Sequence, residues 1–382
     1  MQKTPLIHKY LLRTQHYFSN VRIMSADPPT RRGEEMAPHI NGALVSHFLI
    51  QTGRGVRRPS TGTIFIARSI HLKTEVFELF TLPHQRKQII EIARTLAVLI
   101  RHPNLMAIGR SAALLRGLSL PQPLDGSTPA IELADLHKHK RRAQVLPAVI
   151  FEGQVISEST RALVRSGAFT STQAEQRGSF WIQQPIDMII SAACIDGKEQ
   201  AFVLACTGLR HLLRIGRYDH ATREATEQTR RRLLQRLETE RDSGTKIRRA
   251  RWILQNANPG CESPGEALML YQLLSAGIGG WETQYHVTIN ELHYFLDLAL
   301  PDLMIAFEFD GRAKYGNTLE EVHRSEEEER RRQRVLESLG WTIIRVRWTD
   351  LYHPEQYIGE FKERCARHGY KLPYCAPPRR SH

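Results

Sequence analysis

The chain has 382 residues, of which 41% are hydrophobic and 24% charged. This is enough for two or three domains of ordinary globular composition, with no run near the roughly 18 apolar residues that a membrane span needs. Met1–Lys9 has no apolar core of signal-peptide length, and the five cysteines form no C-x-x-C pair, so neither a zinc ribbon nor a disulfide framework is expected and the chain reads as cytoplasmic. The net charge is +13, which suggests a polyanionic partner, most simply nucleic acid; arginine-rich genomic composition is the bland alternative. The excess is uneven: residues 256–382 hold 15 basic and 19 acidic residues, leaving +17 on residues 1–255.

Residues 1–82 read as irregular, punctuated by Pro28, Pro29, Gly33, Gly53, Gly55 and Pro59. A short helix near Gly42–Thr52 and a strand over Thr61–Arg68 would suit a small winged-helix-like unit. His84–Ile100 has helical spacing (Ile89, Ile92, Leu96, Leu99) and stops before Pro103. A second helix follows at Ser111–Leu118. Short strands and turns fill 121–180, with His137–Arg142 as an exposed basic run that puts Lys138, Lys140, Arg141 and Arg142 forward as nucleic-acid contacts. Two helices are expected at Pro185–Asp196 and Glu199–Leu213, then one long arginine-rich helix over Ala221–Leu254. Asn256–Gly260 reads as a linker, which divides the chain into 1–82, 83–255 and 256–382.

After that linker, Ser263, Pro264 and Glu266 have the spacing of a capping box that opens a helix ending at Gly277. Two strand-like runs, Tyr294–Leu300 and Leu303–Asp310, flank Pro301-Asp302. A two-residue turn there sets Asp297 opposite Ala306. Alternation then puts Leu296, Leu298, Leu300, Leu303, Ile305, Phe307 and Phe309 on one face, and Asp297, Glu308 and Asp310 together on the other. Like charges that close disfavour mutual ionisation, so the face is either screened by water or resolved by a divalent cation. Helix 319–339 carries the run Glu326–Arg332, read mostly as a solvated face with i,i+4 pairs. In the final strand, Thr342, Ile344, Val346 and Trp348 share one face, and Arg345 and Arg347 the other.

Asp297 followed by Glu308-Phe309-Asp310-Gly311 resembles the D…E-x-(K/D) signature of PD-(D/E)XK nucleases. With Glu326–Arg334 and Leu336-Glu337-Ser338-Leu339-Gly340-Trp341, residues 260–352 are similar to a domain family of unknown function related to very-short-patch-repair (Vsr) endonucleases. The resemblance implies a mixed α/β, restriction-endonuclease-like C-terminal domain and a metal-dependent endonuclease acting on nucleic acid, DNA first. It implies Asp297, Glu308 and Asp310 as ligands of Mg²⁺ or Mn²⁺, with Asp310 standing where many members carry a lysine. Lys314 is the nearby candidate for that positive charge. Glu266 matches an acidic position on the first helix of the fold, with helix capping as its alternative role, and Arg312, Arg345 and Arg347 are candidate phosphate contacts. Met106–Leu118, with its Gly109-Arg110-Ser111-Ala112-Ala113 stretch, resembles AbiEi-like antitoxin proteins, which implies a mostly helical front half with a winged-helix DNA-binding unit. The competing function is therefore a DNA-binding regulator with a degenerate nuclease fold. Nucleotidyl transfer by the middle region would need Gly-Ser followed by an Asp-x-Asp pair, and no such pair follows a Gly-Ser there.

Overall fold

The computed structural model describes residues 40–52, 61–137, 142–165, 173–216, 222–240, 244–289, 292–311 and 319–378. Met1–Ile40 and Asn41–His382 separate as two units. Everything below concerns the second, a mixed α/β structure. Among the described residues no helix is long and apolar enough to cross a membrane.

The unit opens with α1 (Gly42–His47) and the antiparallel strands β1 (Leu49–Gln51), β2 (Thr63–Ala67) and β3 (Ile70–Lys73), in sheet order β1-β3-β2. The expected strand is present; the helix expected near Gly42–Thr52 ends at His47, and the rest of that span holds β1. After α2 (Val76–Leu79) comes α3 (Pro83–Arg101), then β4 (Leu105–Ala107), α4 (Gly109–Leu115) and β5 (Ile131–Asp135). β6 (Arg142–Leu146) to β11 (Phe180–Gln183) follow, with β7 (Val149–Phe151), β8 (Gln154–Ser157), β9 (Thr160–Arg165) and β10 (Ala174–Arg177) between them. Six of these strands form one mixed sheet in the order β10-β11-β4-β5-β9-β6, while β7 and β8 make a separate hairpin. The apolar stripe of α3 is wholly buried, from Ile89 to Leu99.

The expected pair of helices appears as α5 (Pro185–Ile195) and α6 (Lys198–Leu212). The expected single helix over Ala221–Leu254 is instead two, α7 (Arg223–Glu238) and α8 (Gly244–Asn256). In the sequence Asp242-Ser243-Gly244 leads into the second of them, residue types that compete with helical hydrogen bonding.

The middle region is held by buried ion pairs rather than by apolar packing alone. Arg110, at the start of α4, grips Glu91 of α3 through Nε–Oε1 at 2.7 Å and Nη2–Oε2 at 3.1 Å, and its Nη1 donates to Gln200 Oε1 at 2.8 Å. Arg165 makes the same two-pronged contact to Glu132, both bonds at 2.7 Å. The backbone N–H of Gly109 donates to Gln183 Oε1 at 3.1 Å, and Ser111 Oγ accepts from the Glu132 N–H at 3.0 Å. All three polar members of the Gly109-Arg110-Ser111 stretch thus serve as locks between elements.

Asp196, at the end of α5, lies beside this network with Oδ2 buried and without a hydrogen-bond partner. Burial, reinforced by the Glu132 charge, pushes its carboxyl up to about 7. A carboxyl raised above its ordinary value favours folding while protonated, so its contribution is complete below about 4 and is lost as pH rises through 7. Thermal melts from about pH 5 to pH 8.5 should show Asp196→Asn losing less stability than the native chain across that window. Parallel pH profiles for the two would refute the assignment.

The segment expected as a linker, Asn256–Gly260, is a packed turn. Ala257 is fully buried. Arg230 donates to the carbonyls of Leu254, Gln255 and Ala257 at 2.7–2.9 Å, and so caps the end of α8. Asn258 N donates to Cys206 Sγ, and Asn258 Oδ1 accepts from Gly260 N at 2.9 Å and Thr283 Oγ1 at 3.0 Å. Phe202, Trp252 and Tyr271 form an aromatic cluster that joins α6, α8 and the next helix, α9 (Pro264–Ser275). Residues 83–255 and 256–382 therefore pack as parts of one unit. All five cysteines are free thiols.

The last part is α9, β12 (Glu282–Ile289), β13 (Leu292–Leu300), a 3₁₀ turn (Pro301–Leu303), β14 (Ile305–Asp310), α10 (Leu319–Ser338), β15 (Thr342–Arg347), α11 (Trp348–Leu351) and α12 (Pro354–Arg367). The sheet order is β12-β13-β14-β15, antiparallel except for the parallel pair β14–β15. One buried cluster, Leu296, Ala299, Ala306, Leu336 and Trp341, fixes α10 to the sheet. Trp348 does not extend the last strand as expected. The Asp350 carboxylate accepts the Arg347 N–H at 2.8 Å and turns the chain into α11 there.

Candidate functional site

The connection between β13 and β14 is longer than the two residues the sequence suggests. Pro301–Leu303 form a 3₁₀ turn, and Met304 is left-handed at φ +54°. Leu300 consequently pairs with Ile305 instead of Leu303, Ala299 with Ala306, and Leu298 with Phe307. Because the connection grew by two residues, the faces survive, but Asp297 comes level with Glu308 and not with Ala306.

The ladder stops one step before that pair. Past Leu298 and Phe307, side chains make the bonds that backbone groups would otherwise make across the two strands. Asp297 Oδ2 accepts the Phe309 N–H at 2.8 Å. Arg332, reaching down from α10, donates to the carbonyl of Phe295 and holds Glu308 with both prongs, Nη2–Oε1 at 2.7 Å and Nη1–Oε2 at 3.1 Å. Unpaired buried backbone groups are costly, so these contacts explain how a sheet can open at this point and stay folded.

Strict alternation does not carry through the opening. Leu296 joins Ala299 and Ala306 in the cluster under α10, although alternation assigns it to the opposite face. The distortion coincides with Gln284, which faces Asp297 from β12 and has φ +50°. Gln284 Nε2 donates to Asp297 Oδ1 at 3.2 Å and to Glu266 Oε2 at 3.4 Å.

Glu266 completes the group. Ser263 caps α9 as expected, its Oγ accepting the Glu266 N–H at 3.2 Å. The reciprocal half of the capping box is altered: the Glu266 carboxylate accepts from the backbone N–H of Glu262, one residue before the cap, at 2.8 Å. Glu266 is buried, and burial first, then the Asp297 charge, push its carboxyl up to about 8. Gly265 is required beside it, because a Cβ there would sit 2.1 Å from the Phe309 ring.

The remaining candidates separate. Asp310 lies at the end of β14 with Arg347 Nε 3.9 Å from its Oδ2. Among the described residues no group of three His, Cys, Asp or Glu side chains is disposed to hold a metal ion. Arg345 is the register partner of Glu308 on β15, and Arg347 that of Asp310. Arg142 is exposed on β6, far along the chain from the opened ladder. Lys314, Arg312, Lys138, Lys140 and Arg141 lie outside the described residues.

Gln284 was not singled out by the sequence, and Arg332 only as one arginine of a helix from which a phosphate contact could come, with a solvated face as the preferred reading. Arg332 had a signal: it stands four residues before Leu336, the buried anchor of α10, so helical period puts both on the sheet side. Gln284 had none, since nothing in its neighbourhood announces a left-handed residue inside a strand.

Comparison with protein-family models, with curated proteins and with solved structures found no match to this chain.

Proposed function

We propose that this protein is a metal-dependent phosphodiesterase acting on nucleic acid, with Asp297 and Glu308 as the residues that would hold Mg²⁺ or Mn²⁺. The carrying observation is the opened ladder, where Asp297 and Glu308 come level between diverging strands with Glu266 close to Asp297. Two protein carboxylates suffice for this ion, because Mg²⁺ keeps several waters and takes its other oxygens from substrate phosphate. When bound, the ion polarises the phosphate and lowers the pKa of an attacking water. Glu308 must exchange part of its grip on Arg332 to reach an ion, and a carboxylate has spare lone pairs for both. Released toward a bound phosphate, the Arg332 fork fits its oxygens in the same two-pronged way. Burial and the Asp297 charge raise the Glu266 carboxyl above its ordinary range, which limits the negative charge gathered here in the free protein.

The test is cleavage of single-stranded DNA, duplex DNA and RNA in Mg²⁺ or Mn²⁺, with Asp297→Asn and Glu308→Gln alongside. Turnover that needs the ion and falls about 10³-fold or more in either variant is expected, since each residue serves the ion directly. Equal residual cutting by the double variant would mark a contaminant and sink the proposal. A second reading, a nucleic-acid-binding regulator on a degenerate nuclease fold, is favoured by one feature: Glu308 is tied bidentately to Arg332 while Asp310 stands in place of the motif lysine. Salt-sensitive binding with no cleavage in either ion would establish it.

A further inference from the structure

α8 carries Lys246, Arg248, Arg249 and Arg251 and no acidic residue. The first three lie in its N-terminal half, where the helix dipole favours anions and opposes cations. No carboxylate stands three or four residues away within the helix to offset them. α7 is different. Its Arg230 pairs with Glu227 at 3.1 Å, and its Arg236 with Asp187 at 2.8 Å and Glu240 at 2.6 Å. On α8, Arg249 serves the fold: its Nε and Nη2 donate to the Ala193 carbonyl at 3.2 and 3.0 Å and fasten the helix to α5.

Arg248 and Arg251 have no such duty. Ala250, Ile253 and Leu254 are buried, and α8 packs on α5, α6 and α7. Helical period sets Arg248, Arg251 and Gln255 on one stripe away from that buried face, and all three are exposed. Arg248 Nη2 donates to Thr245 Oγ1 at 3.2 Å on the same helix. Among the described residues neither arginine has a carboxylate partner. Two like charges one turn apart repel, and a bound polyanion turns that repulsion into attraction. The charge division of the chain asks for such a surface. Residues 256–382, which contain Asp297 and Glu308, hold 15 basic against 19 acidic residues, while 1–255 hold an excess of +17. A carboxylate site in the acidic part needs its polyanion held by the basic part. None of the exposed large apolar side chains lies on α8, so this face offers no apolar anchor to a membrane surface.

We propose that Arg248 and Arg251, with Gln255 one turn on, form a docking surface for the phosphate backbone of nucleic acid. It rests on the nucleic-acid part of the proposed function and not on cleavage. Guanidinium groups suit phosphate oxygens, and the Gln255 amide adds a neutral donor of the kind that also reaches phosphate. Contacts of this kind set position and orientation and carry no sequence information. The surface therefore supplies affinity that falls steeply with salt, and leaves sequence or structure preference to other residues.

The test is fluorescence anisotropy of the full chain with labelled duplex DNA and with its single strand, titrated over a range of salt in EDTA so that nothing is cut. The slope of log affinity against log salt is read on whichever probe binds more tightly. Arg248→Gln/Arg251→Gln should make that slope shallower by about 1.8 on duplex or about 1.4 on a single strand, the share of two phosphate contacts, and weaken binding about tenfold at low salt. Arg248→Lys/Arg251→Lys keeps both charges and should keep most of the slope. Arg364→Gln/Arg367→Gln removes the same charge from exposed positions on α12 and should change the slope little. An unchanged urea midpoint shows that the α8 variant is folded. No binding to either probe, an unchanged slope in the α8 variant, or equal changes in the α8 and α12 variants would overturn the proposal. So would vesicles of phosphatidylserine and phosphatidylcholine that lose the α8 variant while nucleic acid keeps it. Since cleavage is not read here, the outcomes separate: binding that depends on Arg248 and Arg251 without turnover in Mg²⁺ keeps the surface and removes the nuclease, and turnover with binding indifferent to both arginines does the reverse.

Discussion

Arg110→Ala is expected to cost about 3–5 kcal/mol of stability, the usual penalty for leaving a buried charge uncompensated. Glu91 loses both of its bonds in that variant, at a site where the two side chains retain only 4% and 7% of their exposure. Its negative charge then stands near Asp196, whose carboxyl burial already raises, while Arg165 is committed to Glu132. Arg110→Lys should recover little: an ammonium supplies a point charge, but it cannot make the two parallel bonds to Glu91 and the third to Gln200 together. The diagnostic is the double variant Arg110→Met/Glu91→Leu, which replaces both partners with apolar groups and should fall well below the single variant in cost. Urea unfolding measures each directly, a changed midpoint at constant slope marking a true stability effect. A single variant within about 1 kcal/mol of the native chain would show that water reaches the pair and that the burial is not maintained in solution.

That network bears on how much of the fold was legible beforehand. Helices with a wide apolar stripe, α3, α5, α6 and α9, follow directly from the spacing of their aliphatic residues, because burial of that stripe is what stabilises them. The hairpin faces were legible for a related reason: adding two residues to the turn left the parity of Glu308 and Asp310 unchanged. Elements whose stability comes from pairing, not from their own pattern, were harder. β12 has alternation in Tyr285, Val287 and Ile289, but its other face is Gln284, His286 and Thr288, and only the neighbouring strand turns this into a ladder. The segment at Asn256–Gly260 has the composition of a linker and becomes a packed turn because Arg230 and Cys206, distant in sequence, supply its hydrogen bonds.

The site was legible in residue type and not in geometry. Paired acids on a hairpin predict that carboxylates will lie together; they do not reveal that the ladder opens between them. The opening depends on Gln284 in a left-handed conformation and on Arg332 arriving from a helix 24 residues after Glu308. Arg332 also shows why the acidic-basic run of α10 was misleading. Gln333 pairs with Glu337 along the helix, as a solvated face should, at 2.8 Å. Its immediate neighbour points the other way and satisfies the sheet.

Arg332→Ala therefore probes both the fold and the proposed chemistry, and the two predicted effects have opposite signs for the affinity of Glu308 for a cation. For folding, the variant removes both Arg332 prongs from Glu308, a side chain about 10% exposed, and one donor to the Phe295 carbonyl. Since Arg332 is itself about a quarter exposed, water replaces part of the loss, and about 2–3 kcal/mol is expected rather than the full penalty of a dry pair. For metal binding, a carboxylate relieved of its guanidinium has more negative charge to offer, and Mg²⁺ or Mn²⁺ added to the variant should restore stability. Binding to the native state alone raises stability by an amount that grows with the logarithm of ion concentration, roughly 2.7 kcal/mol at a hundred times the dissociation constant. The expected result is a melting temperature for Arg332→Ala that rises with Mn²⁺ more steeply than that of the native chain. Arg332→Ala/Glu308→Gln should show no such rise, because the ligand charge has gone. If the divalent ion leaves all three proteins unmoved, Glu308 serves the sheet alone, and the pair with Arg332 is a structural clasp across an opened ladder. If only the single variant responds, the same carboxylate that closes the sheet in the free protein is the one an ion would take.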